Sequence, residues 1–362
     1  MTNVNILFFA DRLPPLTGGM EVHAKYFIEY FTNHNKFPII GIITKNIEKQ
    51  DCIVLQDKTS LININNLSKF FNPQIIFFNS GRWVEELKQI RNIFPSTKFI
   101  YRTGGNEILK APLIKNKIPD HKMRQLYWVQ AINNSIDILI TNSAYTEERL
   151  RKTGIKITFK RFVGGVNISA LQNTNHKKNN VTTIFCAARF VPYKNHSLMI
   201  SLINELVLRR YKFKVRFAGD GPLLKETKQQ VKNYGLDLVI DFLGELNNSA
   251  ACKEISNADI YMQLSKDQIT EVTGGSYIHS EGMGRSILEA IASGTFVIAG
   301  KSGALSEIVK SKQGLLLELD DVKKMADKVE QIIKYPPAKR VIQTKFDWSK
   351  IFMGYEKLFA NT

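Results

Sequence analysis

Short apolar runs alternate along the chain with segments whose apolar residues recur at helical spacing. This alternation is typical of parallel β-sheets covered by helices. In the first half it predicts strands at Val4–Ala10, Ile39–Thr44, Ile75–Asn79, Phe99–Arg102 and Ile136–Thr141. It also predicts helices at Met20–Asn33, Trp83–Ile93, Lys122–Asn134 and Tyr145–Lys152. We therefore interpret the first half as one doubly wound α/β domain.

A polar segment, residues 167–180, interrupts this pattern and is rich in Asn, Lys and His, so we interpret it as a linker. The alternation restarts beyond it with a strand at Thr182–Ala188, a helix at His196–Arg210 and a strand at Lys214–Ala218. A chain of 362 residues fits two domains of about 100–200 residues each better than one core. The sequence predicts two Rossmann-like domains that bind ligand in a cleft between the carboxyl ends of their strands.

Composition favours a soluble globular protein, with 44% hydrophobic and 23% charged residues. The longest apolar runs, such as Ile75–Phe78 and Phe296–Ala299, are far shorter than the roughly 20 residues that cross a bilayer. Asp11 and Arg12 interrupt the apolar start, so no secretory signal is indicated. We expect a cytoplasmic protein.

The cysteines and histidines do not predict a disulfide framework or a metal site. Cys52, Cys186 and Cys252 are scattered, and none lies in a C-x2-C pair. The six histidines show no H-x3-H or H-E-x2-H pattern. We expect buried thiols, and neither a metal nor a cofactor.

The net charge of +17 suggests an anionic partner. A basic run, formed by Lys110, Lys115, Lys117, Lys122 and Arg124, is the most visible concentration. It fits attraction to anionic lipid headgroups, at about 1 kcal/mol per basic residue, but also an ordinary solvated surface or a compositional bias. No helix-turn-helix, zinc finger or aromatic RNA-binding pattern supports a nucleic-acid partner.

Two glutamates stand eight residues apart around a glycine-containing loop. Glu281 precedes Gly282-Met283-Gly284, and Glu289 lies inside the short helix that follows. A helix N-terminus attracts phosphate, and carboxylates beside it can hold hydroxyls, so the pattern suggests a nucleotide-sugar ligand. The alternative is that Ser286 and Glu289 form a capping box and that Glu281 is a solvated loop residue.

Further short motifs occur in order along the chain. Arg189 and Lys194 follow a predicted strand and flank a turn containing Pro192, and a glycine turn, Gly219-Asp-Gly221-Pro, comes later. Near the start is the glycine loop Gly18-Gly19-Met-Glu. Together with the E-x7-E spacing of Glu281 and Glu289, these motifs resemble those of family 4 glycosyltransferases with the GT-B fold.

This resemblance implies roles for individual residues. Arg189 and Lys194 receive the leaving diphosphate, Glu289 binds the ribose hydroxyls, and Glu281 lies beside the transferred sugar and positions it. Reaction with retention of anomeric configuration, without a metal and from a UDP-sugar or GDP-sugar, is implied as well. The remaining donor-side residues implied by the motifs are Gly18, Gly19, Gly219, Gly221, Gly282, Met283 and Gly284.

The chain departs from the family pattern in two places. The first-domain histidine of many members has no counterpart in Tyr101–Glu107, where Arg102, Asn106 or Glu107 contacts sugar or acceptor, or where only a glycine turn exists. Residues 265–280 insert a polar loop with a Gly274-Gly275 hinge, which we interpret as a lid or as disorder without function.

The tail carries an apolar stripe at helical spacing, and in the resembling family this last helix returns to the first domain. We therefore expect domains at residues 1–166 with 346–362, and at 181–345. The leading hypothesis is a retaining glycosyltransferase that extends a cell-surface polysaccharide or lipopolysaccharide on a glycan or lipid-linked acceptor, at the inner face of the cytoplasmic membrane. The alternatives are a nucleotide-sugar epimerase of related architecture and a non-catalytic GT-B scaffold.

Overall fold

The computed structural model describes residues 3–11, 13, 18–45, 52–55, 60–80, 83–112, 118–172 and 181–361. The chain forms two compact units. The first unit comprises Met1–Gly165, Thr270–Tyr277 and Trp348–Thr362, and the second comprises Val166–Ile269 and Ile278–Asp347. Each contains a mainly parallel sheet covered by helices, which confirms the predicted fold class.

The sheet of the first unit has the strand order β4-β3-β2-β1-β5-β6-β7-β8, in which β2 pairs with β3 and β3 with β4 in the antiparallel sense and the other pairs are parallel. β1 and β5 are buried at every position, as expected for central strands with both faces covered. The strands are β1 Ile6–Ala10, β2 Ile39–Lys45, β3 Cys52–Leu55, β4 Ser60–Ile62, β5 Ile75–Phe78, β6 Lys98–Arg102, β7 Ile138–Thr141 and β8 Thr158–Arg161. The helices are α1 Gly19–Phe31, α2 Leu67–Phe70, α3 Leu87–Ile93, α4 Asn106–Lys110, α5 His121–Ser135, α6 Ala144–Lys152 and, from the end of the chain, α14 Trp348–Ala360.

The last helix, α14, completes one face of the first sheet. Because side chains alternate along a strand, Ile6 and Phe8 of β1 point to this face. There Phe27 of α1 meets Phe352 of α14 with ring centroids 5.7 Å apart, and both rings are fully buried. The core of the first unit is therefore built from segments at both ends of the described chain.

The second unit has a six-stranded parallel sheet in the order β11-β10-β9-β12-β15-β16. Its strands are β9 Thr182–Ala187, β10 Phe213–Ala218, β11 Ile240–Phe242, β12 Ile260–Gln263, β15 Phe296–Gly300 and β16 Gly314–Leu317. Its helices are α7 Ile168–Gln172, α8 His196–Leu208, α9 Leu224–Asn233, α10 Asn248–Asn257, α11 Arg285–Ser293, α12 Leu305–Ile308 and α13 Val322–Lys334. A separate two-stranded sheet is formed by β13 Gln268–Val272 and β14 Gly275–His279.

The segment interpreted as a linker begins with a helix. Ile168 and Leu171 of α7 are buried, and the helix packs against α10 and α11 of the second unit. Two apolar residues three positions apart are enough to attach one helical turn to a core, although the surrounding composition is polar. Residues 167–172 are therefore part of the second unit, and residues 173–180 lie outside the described part of the chain.

The insertion predicted as a polar loop forms a β-hairpin of β13 and β14. Gly274 and Gly275 have φ of 81° and 158°, which supplies the tight connection. The tip, Thr270–Tyr277, groups with the first unit, where the His121 amide donates to the carbonyl of Thr273 at 2.8 Å. The loop prediction was wrong because burial alternates along both strands while the apolar residues Ile269, Val272, Tyr277 and Ile278 do not follow a period of two, so the sequence pattern does not indicate strands here.

The basic run of residues 110–124 is only partly a charged surface. Lys110 and Lys122 are exposed. Arg124 is 6% exposed and donates to the carbonyls of Ala111 at 2.8 Å and Ile118 at 3.0 Å, so it ties the chain together internally. Lys115 and Lys117 lie outside the described residues. No helix of the described chain is long and apolar enough to span a bilayer.

Candidate active site

The glycine turn after β10 holds the backbone that carries Arg189. A side chain at Gly219 would place its Cβ 2.2 Å from the carbonyl oxygen of Ala188, and one at Gly221 would lie 2.6 Å from that of Phe190. Both glycines have φ between 130° and 155°, a region that other residues rarely adopt. The turn therefore packs directly against the loop after β9, from which the Arg189 side chain extends into solvent.

Lys194 ends a 3-10 turn, Pro192–Lys194, and pairs with Glu281. Its Nζ lies 2.6 Å from Glu281 Oε2, and each side chain is 12% exposed. Burial lowers the pKa of Lys194, but the carboxylate of Glu281 outweighs it and leaves the pKa above its usual value. The two predicted residues, 87 positions apart in sequence, thus form one charged pair, in which the carboxylate favours the ionised form of Lys194.

Two buried side chains that the sequence analysis missed complete the surroundings of Glu281. Ser265 Oγ and Gln263 Nε2 donate to Oε2 at 3.2 and 3.3 Å, and both residues are inaccessible to solvent. Oε1 of Glu281 has no hydrogen-bond partner among the described residues, and Lys194 uses one of its three N–H donors there. The pair therefore presents an acceptor for a hydroxyl and donors for an anion at one place.

The start of α11 excludes the capping-box alternative. Gly284, not Ser286, is the N-cap residue; it has φ 70° and makes no side-chain cap. Its own Cβ would lie 2.7 Å from a side-chain carbon of Leu305, so the loop of Gly282, Met283 and Gly284 depends on glycine here. Ser286 Oγ instead lies 2.7 Å from the Tyr261 hydroxyl.

Glu289 is buried on α11 with a 6% exposed side chain. Its Oε1 accepts from Asn248 Nδ2 at 2.9 Å and lies 3.3 Å from Arg285 Nη2 one turn earlier. Within the described chain its other oxygen, Oε2, has no hydrogen-bond partner. Arg285 thus compensates the carboxylate's charge while one oxygen stays available to a ligand hydroxyl.

The predicted first-unit residues have local environments of their own. Gly18 is the N-cap of α1, and a Cβ there would lie 2.2 Å from Glu21 Oε2, whereas Gly19 faces open space. Arg102 is 6% exposed, with Nη1 3.0 Å from the sulfur of Met20. A contact of these residues with a ligand remains a prediction.

Glu107 stabilises the turn that replaces the family's histidine segment. Its Oε1 accepts from Thr103 Oγ1 at 2.6 Å and from the Gly104 amide at 3.2 Å, and Asn106 begins α4. The carboxylate of Glu107 therefore stabilises the glycine turn, which was the alternative to a ligand contact. A contact of Asn106 with the sugar remains a prediction.

The predictions about metal ligands and thiols can be compared with the described part of the chain. It contains no group of three or more His, Cys, Asp or Glu side chains placed to hold a metal ion. Cys186 and Cys252 are free and buried, and burial raises the pKa of Cys186 to about 12. These two thiols are accordingly unreactive core residues.

One signal for the missed residues was present in the sequence. Gln263 and Ser265 are polar positions at the end of an apolar strand, in Tyr-Met-Gln-Leu-Ser. Polar groups at the carboxyl end of a buried parallel strand are expected near a ligand site. Asn248 and Arg285 gave no such signal, because their contact with Glu289 depends on how α10 and α11 pack.

Comparison with known proteins agrees with this geometry. Residues 167–345 match the model of the family described as glycosyl transferases group 1. A GDP-mannose-dependent monoacylated alpha-(1-6)-phosphatidylinositol monomannoside mannosyltransferase of Corynebacterium glutamicum is 25% identical over 244 residues, which cover 62% of each protein. The chain thus spans less than two thirds of that relative. Protein CapJ of Staphylococcus aureus is 27% identical over 328 residues, or 83% of this chain and 78% of CapJ.

Solved structures show the same fold over the whole chain. The Anabaena protein HepE, crystallised with UDP and glucose, superimposes with a TM-score of 0.74 at 16% identity, covering 99% of this chain and 100% of HepE. At this identity the likeness concerns the fold alone. Residues 167–345, which make up most of the second unit, thus belong to the family of group 1 glycosyl transferases, and the complete chain has the GT-B fold.

Proposed function

We propose that this protein is a retaining glycosyltransferase that moves a sugar from a nucleotide diphosphate sugar to a glycan or lipid-linked acceptor in cell-surface polysaccharide synthesis. The observation that carries the proposal is the Lys194–Glu281 pair, with its unused N–H donors and free carboxylate oxygen side by side. A sugar diphosphate offers both complements, an anion and a hydroxyl, close together. The name of the mannosyltransferase relative, which uses GDP-mannose and acts on a phosphatidylinositol mannoside, supports a nucleotide-sugar donor and a lipid-linked acceptor.

Negative charge develops on the leaving diphosphate as the glycosidic bond breaks, and cations must stabilise it. Lys194 supplies a point charge, and exposed Arg189 supplies a planar guanidinium that can bind phosphate in a bidentate manner. Glu289 Oε2 is placed to accept from a ribose hydroxyl. In this proposal the chain's own cations take the role that a metal ion has in other transferases.

Glu281 is suited to positioning the sugar rather than attacking it. Its Oε2 already accepts three hydrogen bonds, one of them from an ammonium, and such bonds withdraw electron density from a nucleophile. The acceptor hydroxyl can instead transfer its proton to the leaving phosphate on the same face of the sugar. This route retains anomeric configuration without a covalent intermediate.

A donor panel tests the function. UDP, GDP and their glucose, mannose and N-acetylglucosamine conjugates are compared by thermal shift, because a ligand at 100 times its Kd stabilises by about 2.7 kcal/mol. The stabilising donor is then incubated with glycan and lipid-linked acceptors, and the anomeric configuration of the product is read by NMR. Failure of every donor to stabilise, or a product with inverted configuration, would contradict the proposal.

We also propose that the first unit docks on anionic membranes, where a lipid-linked acceptor is found. Lys110 and Lys122 are exposed, and beside Lys122 the side chains of Met123 and Leu126 are 62% and 56% exposed on the same helix, α5. Cations next to exposed apolar side chains match the headgroup region of an anionic bilayer. The proposed location is the inner face of the cytoplasmic membrane.

A further inference from the structure

A continuous line of hydrogen bonds leads to Glu281 through side chains outside the recognised motifs. The Ala187 amide, at the end of β9, lies 3.3 Å from the Tyr261 hydroxyl, which lies 2.7 Å from Ser286 Oγ. Ser286 Oγ in turn lies 3.2 Å from Gln263 Oε1. The strand that leads to Arg189 and the first turn of α11 are thus both connected to one buried amide.

The line continues from Gln263 to the carboxylate. Gln263 Nε2 lies 2.8 Å from Ser265 Oγ and 3.3 Å from Glu281 Oε2, and Ser265 Oγ lies 3.2 Å from the same oxygen. Gln263 and Ser265 are fully buried. A polar amide is costly in such a place unless its donors and acceptor are all used, and here they are.

The direction of these bonds follows from the chemistry of the groups. A carboxylate only accepts hydrogen bonds, so Gln263 must turn its N–H group toward Glu281 and its carbonyl oxygen toward Ser286. Each hydroxyl has one proton: Ser265 donates to Glu281, Ser286 donates to Gln263, and Tyr261 donates to one of three acceptors at 2.7–3.1 Å, Ser286 Oγ, Gln263 Oε1 or the Ala187 carbonyl. Reversing the amide would place two acceptors against each other at its Glu281 end.

We propose that Gln263 is a positioning residue, which fixes Glu281 Oε2 toward Lys194 and so keeps Oε1 directed at the sugar. Through Ser286 it also ties the carboxylate to the first turn of α11. The proposal rests on the proposed function for its catalytic meaning, but the arrangement of the groups can be tested separately.

The substitution Gln263→Glu gives a switchable variant. When protonated, the introduced carboxyl group has nearly the same shape as the native amide and keeps an O–H donor toward Glu281 and a carbonyl acceptor toward Ser286, while it loses the second donor, which the amide directs at Ser265. Burial and the neighbouring carboxylate both raise the pKa of the introduced group above the ordinary value of about 4.3. Gln263→Glu therefore mimics the native residue at low pH and repels Glu281 once ionised, whereas Gln263→Met has similar length but no hydrogen bonds at any pH.

The experiment measures kcat of each variant relative to wild type between pH 5.5 and 9. The kcat ratio of Gln263→Glu to wild type is expected to be near one at low pH. It should fall about tenfold as pH rises, because a hydrogen bond to a charged group is lost. The Gln263→Met ratio is expected to be low and flat. Thermal unfolding at each pH controls for folding. Equal kcat ratios for the two variants that do not change with pH would overturn the proposal and would mean that Gln263 has a packing role only.

A readout without substrate separates this proposal from the proposed function. Carbon-13 NMR of the Glu side chains is expected to show the introduced carboxyl of Gln263→Glu titrating above the ordinary value of about 4.3 and perturbing the Glu281 signal as it ionises. A shifted titration in a protein that transfers no sugar would refute only the function. An active enzyme with an unshifted titration would refute only the positioning role. If Gln263→Glu does not fold, Ser265→Ala, which removes one hydroxyl from Oε2, is expected to lower kcat severalfold with unchanged nucleotide affinity, and unchanged kcat would overturn the proposal.

Discussion

Replacing Glu281 with Gln removes the charge that keeps the Lys194 ammonium ionised. Burial lowers the pKa of Lys194, and the carboxylate 2.6 Å away raises it by more. A hydrogen bond between charged groups contributes about 1.5–3 kcal/mol, and one pKa unit corresponds to about 1.36 kcal/mol. The substitution should therefore lower the pKa of Lys194 to below its ordinary value, because the burial remains and the opposing carboxylate is gone.

The assay is calorimetry with a bare nucleoside diphosphate at pH 7.5 and 9.5. Wild-type Lys194 keeps its charge at both values, because its pKa lies above the usual range. In Glu281→Gln we expect near wild-type affinity at pH 7.5 and, at pH 9.5, a loss of about three- to tenfold relative to wild type as Lys194 deprotonates. Comparison with wild type at each pH removes the titration of the nucleobase itself.

Two controls define the result. Glu318→Gln removes the carboxylate of another Lys–Glu pair, in which both side chains are 59% exposed, and should change neither affinity. Adding Lys194→Met to Glu281→Gln should abolish the extra pH dependence. If Glu281→Gln binds the diphosphate equally well at both pH values relative to wild type, Lys194 either keeps its charge unaided or does not contact the diphosphate.

Stability gives an independent check with a definite sign. In wild type the folded-state pKa of Lys194 is raised, so its contribution is present below the unfolded-state value of about 10.4 and is lost as pH rises through the folded-state value. In Glu281→Gln the folded-state pKa is depressed, so the unfolded chain binds more protons and stability should rise with pH up to about 10. Urea unfolding at several pH values measures both slopes.

Three further outcomes are expected. Glu289→Gln should weaken diphosphate binding about tenfold at neutral pH, measured by calorimetry, whereas Glu281→Gln should not. An equal loss of affinity in both variants would contradict the assignment of ribose binding to Glu289 and sugar positioning to Glu281. Arg189→Ala should lower turnover ten- to a hundredfold, and the melting temperature should not change because the side chain is exposed. EDTA should not affect the wild-type activity, and activity that is lost in EDTA and restored by a divalent ion would assign the role of Arg189 to a metal. Lys110→Glu with Lys122→Glu should reduce co-sedimentation with anionic liposomes, and Met123→Ser should reduce it without changing its salt dependence; equal binding to neutral vesicles would exclude ionic docking.

The elements of both sheets were largely predictable because buried parallel strands leave a strong signal. Ile75–Phe78 is a continuous apolar run, and the helix predicted at Lys122–Asn134 is observed at His121–Ser135, where Asp120 caps the first turn. Such signals are local, since they depend on spacing and on capping residues. The resemblance to a glycosyltransferase family also rested on local patterns, because it was carried by short motifs in order along the chain.

What could not be predicted depends on tertiary contacts. Arg124 looks like a surface cation in the sequence, and only the fold shows that carbonyl groups satisfy it. The same holds for the pairing of Lys194 with Glu281, since no local pattern links residues so far apart. The roles assigned to Arg189, Glu281 and Glu289 remain predictions until ligand binding is measured.

The position of α14 has a consequence for synthesis on the ribosome. The aromatic face of Phe27 and Phe31 is covered by Phe352, yet all of residues 166–347 are translated in between. At about 5–20 residues per second, that interval is on the order of ten to forty seconds. During this time the second unit can fold, whereas the nascent first unit exposes an aromatic surface to which chaperones can bind until its final helix is made.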